Sequence, residues 1–596
     1  MLVSRPLNLR VSSIVVLALV AANLLYAVQH EMHLYTHASQ DKIQYGMSAA
    51  ISSLQYGLHG YLGYNKVAEC LKTALDDWTD SWFDVSVDSP PTRYIWSADF
   101  AELQCSGFKY KDYLNTLITA ALNIEDIEDA GTHTLEGTEP GIVDYYKLSF
   151  IVFGYRYQSF LYFYFLILVT QSVLFLYQFR RDNLIVALLV LFLLAHYMTL
   201  TALQFPGEQL KTPDNPRFLP VLAILPVAHI CILTLQGYKP TMFRVLGALA
   251  QTVQLPLIMH ARNSAQWALF PVIAVTGLML YHWVRCLKVL AKQTRDKTLE
   301  LKIQPIDLRA QLWPPVIALG IVLAGQGIYR ARLSPVYMKD SNIAGHVLWH
   351  PIFVGLALHP VIQHEYTGQI PNFKSDRLWS PNKSFIENLE NFFFSRASDP
   401  GHYSDNLSHF ALYKEYKRLG KSLNNIYGEN YSFGVEGMRM DPKQLNYRIF
   451  EHELRNIVIE VVLKHPVQVL EQIFIYKPAQ FTWYYLTCYI PFKYECAFWG
   501  GRNNSLIAPY SLLLIFSVIT YTVALIWNMP SLGPVPGFLL LLLGSALIPT
   551  LVIFPEPWLI GDAVLVLTLC QLFIVLLVIR AIVKSILLVI NQQKQI

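Results

Sequence analysis

The chain has 596 residues, 54% of them hydrophobic and only 15% charged, with a mean hydropathy of +0.34. Soluble domains carry about a quarter of their residues as charges, so a soluble globular protein is excluded. The formal net charge of +4 gives no basis for a nucleic-acid partner, and the position of each charge matters more than the sum.

The apolar residues come in runs of about twenty, the length an α-helix needs to cross a hydrocarbon core near 30 Å thick. Ten spans are predicted, over residues 11–28, 158–179, 183–204, 218–236, 245–262, 266–284, 310–329, 507–527, 537–554 and 562–583. The first follows Arg5 and Arg10 and is too long, and too poorly followed by a cleavage site, for a removed signal peptide. Basic residues favour the cytoplasmic side of a membrane, which places the N-terminus inside. The same orientation then puts Arg180 and Arg181, Lys239 and Arg244, the basic run from Arg285 to Arg309, and Arg580 with Lys584 on that side. The predicted fold class is an all-α polytopic membrane protein with two mostly helical extracytoplasmic regions. Its parts are an N-terminal tail and first span (1–28), an acidic outer loop (29–157), spans two to seven (158–329), an outer domain (330–506), and three final spans with a cytoplasmic tail (507–596).

The outer loop begins with helical patterning over about 30–75, is broken at "DSPP" (88–91), and resumes as a helix before residue 125. "EDIEDAGTHTLEGTEPGIVDYYKLSF" (125–150) then gathers Glu125, Asp126, Glu128, Asp129, Glu136, Glu139 and Asp144 at the membrane edge. Its second half opens an amphipathic interfacial helix over 142–158, with Tyr145, Tyr146, Tyr155 and Tyr157 suited to the headgroup layer. Glu139 and Asp144 lie nearest that helix and are the leading catalytic candidates. Asp126 and Asp129 come second, because "IEDIED" also reads as a solvated helix end. A carboxylate at this depth can act as general base on an acceptor hydroxyl or hold a divalent cation through oxygen. For any single one of these residues, plain surface charge is the simpler reading.

The predicted spans hold almost no charge. His196, His229 and His260 are their mid-span ionisable groups, each read first as bonded between helices. Ion-coupled transport chemistry is therefore not expected in the membrane core. Basic residues at headgroup depth, Arg156 before the second span and Arg330 with Arg332 after the seventh, can bind a lipid phosphate. In the outer domain, His346, Trp349 and His350 of "GHVLWHP" offer an aromatic face beside polar groups, as sugar binding requires; a packed helix start is the plainer alternative. Further on, "QLNYRIFEHELRNIVIEVVLKHP" reads as a long helix. "VQVLEQIFIYKPAQFTWYYL" after it reads as a helix along or dipping into the membrane. Cys70 with Cys105, and Cys488 with Cys496, permit two disulfides on the oxidising side; buried free thiols are the alternative.

An inward-starting first span, a large first outer loop with acidic residues and an interfacial helix, and an outer domain towards the C-terminal half together resemble the GT-C superfamily of membrane glycosyltransferases. The resemblance covers most of the chain as architecture. It implies a polyprenyl-phosphate sugar donor, an acidic residue of the first loop in catalysis, and work on cell-envelope glycans. By this reading the chain is expected in a bacterial inner membrane, with both termini cytoplasmic. The chain departs from the family in two places. Only Glu31 and Asp41 lie close behind the first span, where the family carries an acidic dipeptide, and the "WWDYG" signature of oligosaccharyltransferases is absent. Two further functions fit the composition: a membrane scaffold gripping a protein partner, and a lipid or polysaccharide exporter.

Overall fold

The computed structural model describes residues 9–29, 37–71, 115, 118–124, 127, 131–135, 139–202, 216–295, 308–339, 349–357, 359–367, 400–429, 431–434, 437–439, 446–477, 495–496, 501–502, 517–523, 535–552 and 561–593. Helices dominate them, with three short two-stranded pairings. Among the described residues, eight helices are long and apolar enough to cross a membrane: Val11–Val28, Ser159–Phe179, Asn183–Leu200, Phe218–Gln236, Met242–Ala261, Asn263–Lys288, Ala310–Arg332 and Asp562–Leu587. They match the predicted first to seventh and tenth spans within a few residues. The predicted ninth span corresponds to a shorter apolar helix, Val535–Pro549, and only residues 517–523 of the predicted eighth are described. The chain is an all-α membrane protein.

Two hydrophobic clusters organise it. The larger joins the spans to the first loop; the smaller is built by described residues between Phe353 and Val469. Within the larger, the third and fourth spans are enclosed on nearly all sides, whereas the sixth and seventh turn most of their residues outward. The third span is therefore the hub, packed by the first and by the final helix. A buried polar chain holds the first three spans in register. The Asn23 amide oxygen lies 2.7 Å from His196 Nδ1, and the Tyr164 hydroxyl lies 2.8 Å from His196 Nε2. Asn23 also donates to the carbonyls of Leu19 and Leu193. In hydrocarbon such groups have no water to turn to, so the bonds fix which faces meet. His196 is thus bonded between helices, as its sequence position suggested.

The fifth and seventh spans run side by side in the same direction. Gly325 of the seventh lies so close to the Pro256 ring of the fifth that a Cβ there would overlap it. One turn further along, the His260 imidazole stacks on the Tyr329 ring, centroids 4.2 Å apart and planes within 11°. This ladder brings the ends of the two spans, Arg262 and Arg332, to one edge of the bundle. The helix Ile142–Phe153 meets them there. It packs on the helix His37–Tyr56, on the second span and on the fifth. Its inward face carries Ile142, Val143, Tyr145, Tyr146, Ser149 and Phe150, while Leu148, Ile151 and Val152 face outward. Both sides are apolar and the helix ends at Phe153, which differs from the amphipathic helix predicted over 142–158.

Candidate functional site

The site is assembled where the first loop turns into the helix Ile142–Phe153. The turn Pro140–Gly141 sits on the end of the fifth span, and a Cβ on Gly141 would overlap the backbone carbonyl of His260. What approaches this glycine is the fifth span. That contact places the two leading carboxylates in different surroundings.

Glu139, just before the turn, is 3% exposed. Its Oε1 and Oε2 accept from Arg262 Nη1 at 3.2 and 3.3 Å, and Oε1 also accepts from the Asn263 backbone N–H at 3.1 Å. The carboxylate is saturated by partners that tie the loop to the fifth and sixth spans. The start of the final helix adds Asp562, whose charge also bears on Arg262.

Asp144, in the first turn of its helix, is partly open. Arg332 reaches it with both terminal nitrogens, Nη2 at 3.0 Å from Oδ1 and Nη1 at 3.2 Å from Oδ2. Tyr61 adds a hydroxyl at 2.7 Å from Oδ2. The side chains of Arg332 and Asp144 are 49% and 21% exposed, so the pair is within reach of solute or headgroup. A carboxylate in the first turn also suits the positive end of the helix. Tyr61 is held for this contact by a left-handed backbone, φ +62°, uncommon outside glycine. The hydroxyl of Tyr337 donates to the Tyr61 carbonyl at 2.7 Å and accepts from the Leu135 N–H at 3.1 Å. Burial, and then the Asp144 charge, push the Tyr61 hydroxyl far above its ordinary pKa, so it stays a proton donor to the carboxylate. The Arg332 guanidinium also lies over the Tyr61 ring, 5.4 Å from its centroid. Beside Asp144, burial lowers the Lys147 ammonium pKa against the pull of the carboxylate, and its Nζ donates to Ser53 Oγ at 2.8 Å.

The other expected site residues fall elsewhere. Arg156 and Arg330 are exposed at the same membrane edge, and Arg332 rather than Arg330 is the arginine joined to a carboxylate. Trp349 and His350 open the helix Trp349–Ala357, where the Glu451 carboxylate accepts from both their backbone N–H groups, at 2.7 and 3.0 Å. His350 Nδ1 lies 2.6 Å from Ser408 Oγ, and its ring packs near His409 and Phe450. The two residues are thus partly buried in a packed helix start, with Trp349 against the smaller cluster. Asp126, Asp129, His346, Cys105 and Cys488 lie outside the described residues, as does the side chain of Cys496, so neither expected disulfide pair is described in full.

Arg262 and Tyr61 were not singled out from sequence. Arg262 could have been, as a basic residue closing a span beside an otherwise neutral outer loop; Tyr61 carries no such signal. Among the described residues no three His, Cys, Asp or Glu side chains come together to hold a metal ion. The donor set at Asp144 does not suit a divalent cation either, because a guanidinium and a hydroxyl proton already face its oxygens. Comparison of the chain with family models, with curated proteins and with solved structures found no match.

Proposed function

We propose that the protein is an integral-membrane glycosyltransferase that takes sugar from a polyprenyl-phosphate donor on the extracytoplasmic face, in cell-envelope glycan or glycoconjugate assembly in a bacterial inner membrane. One observation carries the reading. A carboxylate of the first loop, Asp144, is joined at the membrane edge to an arginine at the end of the seventh span, and both remain partly exposed. Arg332 commits two of its five N–H donors to Asp144 and keeps others for an anion.

In the proposed reaction the donor phosphate sits against Arg332. An acceptor hydroxyl attacks the anomeric carbon and passes its proton to Asp144. The bond from that carbon to the phosphate oxygen breaks, and the leaving polyprenyl phosphate keeps its electron pair and charge beside Arg332. The Tyr61 hydroxyl orients the carboxylate. Glu139 takes no part in the chemistry and holds the loop through Arg262. The outward face of the helix Ile142–Phe153 suits the headgroup layer, where a lipid-linked donor lies.

The test is transfer of radiolabelled sugar from a polyprenyl-phosphate donor to endogenous acceptors by protein in proteoliposomes. Wild-type transfer lost in Asp144→Asn, at normal yield of folded protein, is the expected result. Equal transfer by both would remove Asp144 from the reaction. A tightly co-purifying protein, indifferent to the substitution and with no transfer by either sample, would favour a scaffold.

A further inference from the structure

The outer domain carries an apolar stripe that its own core leaves uncovered. The helix Tyr447–Lys464 buries Phe450, Leu454, Ile457, Val458 and Val461 in the smaller cluster. The outward side of its first half is polar, with His452, Arg455 and Asn456 exposed. From residue 459 the outward side changes character. Ile459, Leu463, Val467, Leu470 and Phe474 are 43%, 77%, 59%, 55% and 66% exposed, and they follow one another at steps of three or four residues through the helix Pro466–Glu471 and the π-helical turn Gln472–Tyr476. Such spacing makes one face of a helix, and soluble surfaces rarely leave so long an apolar face open.

The charges of this segment are drawn away from the stripe. Tyr366 donates its hydroxyl to Glu460, Lys464 pairs with Glu365, and Glu471 lies 3.3 Å from His359, all on the side of the helix Pro360–Thr367. At the far end Lys477 is buried, and its ammonium donates at 2.8 Å to the Leu551 carbonyl, at the end of the apolar helix Val535–Val552. The segment that carries the stripe therefore ends against the apolar helix Val535–Val552. Residues 459–475, broken at the non-helical His465, span at most about 25 Å even at a full helical rise, short of the ~30 Å core, and the polar first half of the longer helix cannot enter hydrocarbon. These dimensions suit a segment lying in the interface.

We propose that residues 459–475 are an interfacial membrane anchor, with Ile459, Leu463, Val467, Leu470 and Phe474 set among the acyl chains of the outer leaflet, docking the outer domain on the bilayer. This contact is independent of the catalytic reading. Full-length wild-type protein in nanodiscs containing a phospholipid with a diazirine-bearing acyl chain would be irradiated, digested and sequenced by mass spectrometry. Adducts on Leu463, Val467, Leu470 or Phe474, at a yield comparable to those on Leu323 and Ile328 of the seventh span, with His452 and Arg455 unlabelled, are expected. Labelled Leu323 and Ile328 with an unlabelled 459–475 segment would overturn the proposal.

Discussion

Arg332 grips Asp144 from 188 residues away in sequence, one guanidinium nitrogen to each carboxylate oxygen. The pair lies between the helix Ile142–Phe153 and the end of a span, and half the arginine side chain is open. An exposed pair contributes only about 0.2–1 kcal/mol to stability. Arg332→Ala is therefore expected to shift the thermal midpoint little while removing sugar transfer. Arg332→Lys should restore only part of the activity, since an ammonium cannot make the two-pronged contact. Parallel thermal unfolding and transfer assays check this; a large loss of stability in Arg332→Ala would mark the pair as structural.

The Glu139–Arg262 pair is expected to behave in the opposite way. Both partners are buried, and removing one leaves an uncompensated charge, a loss of roughly 3–5 kcal/mol. Glu139→Gln and Arg262→Met should each lower the unfolding midpoint sharply, whereas the double variant should recover much of the loss. Equal destabilisation by the single and double variants would show that the pair is not coupled.

Gly141 should resist any side chain. A Cβ would overlap the His260 backbone, which cannot swing aside as a flexible side chain can. Gly141→Ala is expected to cost about 1–3 kcal/mol, the usual penalty of overpacking, and to reduce transfer by displacing Asp144. Gly277→Ala, where nothing lies near the added atom, is the matched control. Folded yield by size-exclusion chromatography and the unfolding midpoint distinguish the two.

A pH effect should trace to the short pairing of Gly63–Tyr64 with Thr132–His133, which closes the loop around Tyr61. His133 Nε2 lies 3.0 Å from Ser48 Oγ, and burial holds its imidazole below the ordinary histidine pKa, opposed by the Thr134 carbonyl. As pH falls through about 6.5, the unfolded chain binds the proton before the folded one. Stability is thus full above that pH and declines below it until the folded-state pKa is reached. His133→Gln should flatten this part of the profile in unfolding scans between about pH 7 and 5. An unchanged slope would assign the effect to other groups.

The spans were legible because run length alone decides them: hydrocarbon thickness sets a minimum, and the predicted 11–28 and 218–236 reappear as Val11–Val28 and Phe218–Gln236. That a helix opens near residue 142 was legible as well, and it runs over Ile142–Phe153. The pairing within the site was not. Nothing near Asp144 in sequence names Arg332, and Glu139 lies 123 residues from Arg262. Those partners are set by Gly325 on Pro256 and Gly141 on His260, close approaches that depend on which spans are neighbours. The same limit applied to His350, read as a sugar-binding candidate or more plainly as part of a packed helix start, which is packed against Ser408. Its partners come from helices about 58 and 101 residues further along.

The central claim is that Arg332 and Asp144 serve a lipid-linked phosphate donor. Mass spectrometry of the lipids that co-purify with wild type and with Arg332→Ala tests it most directly. Polyprenyl phosphate species enriched with wild type and depleted with the variant are the expected result. The same lipids at the same abundance in both samples, with no polyprenyl phosphate in either, would contradict it.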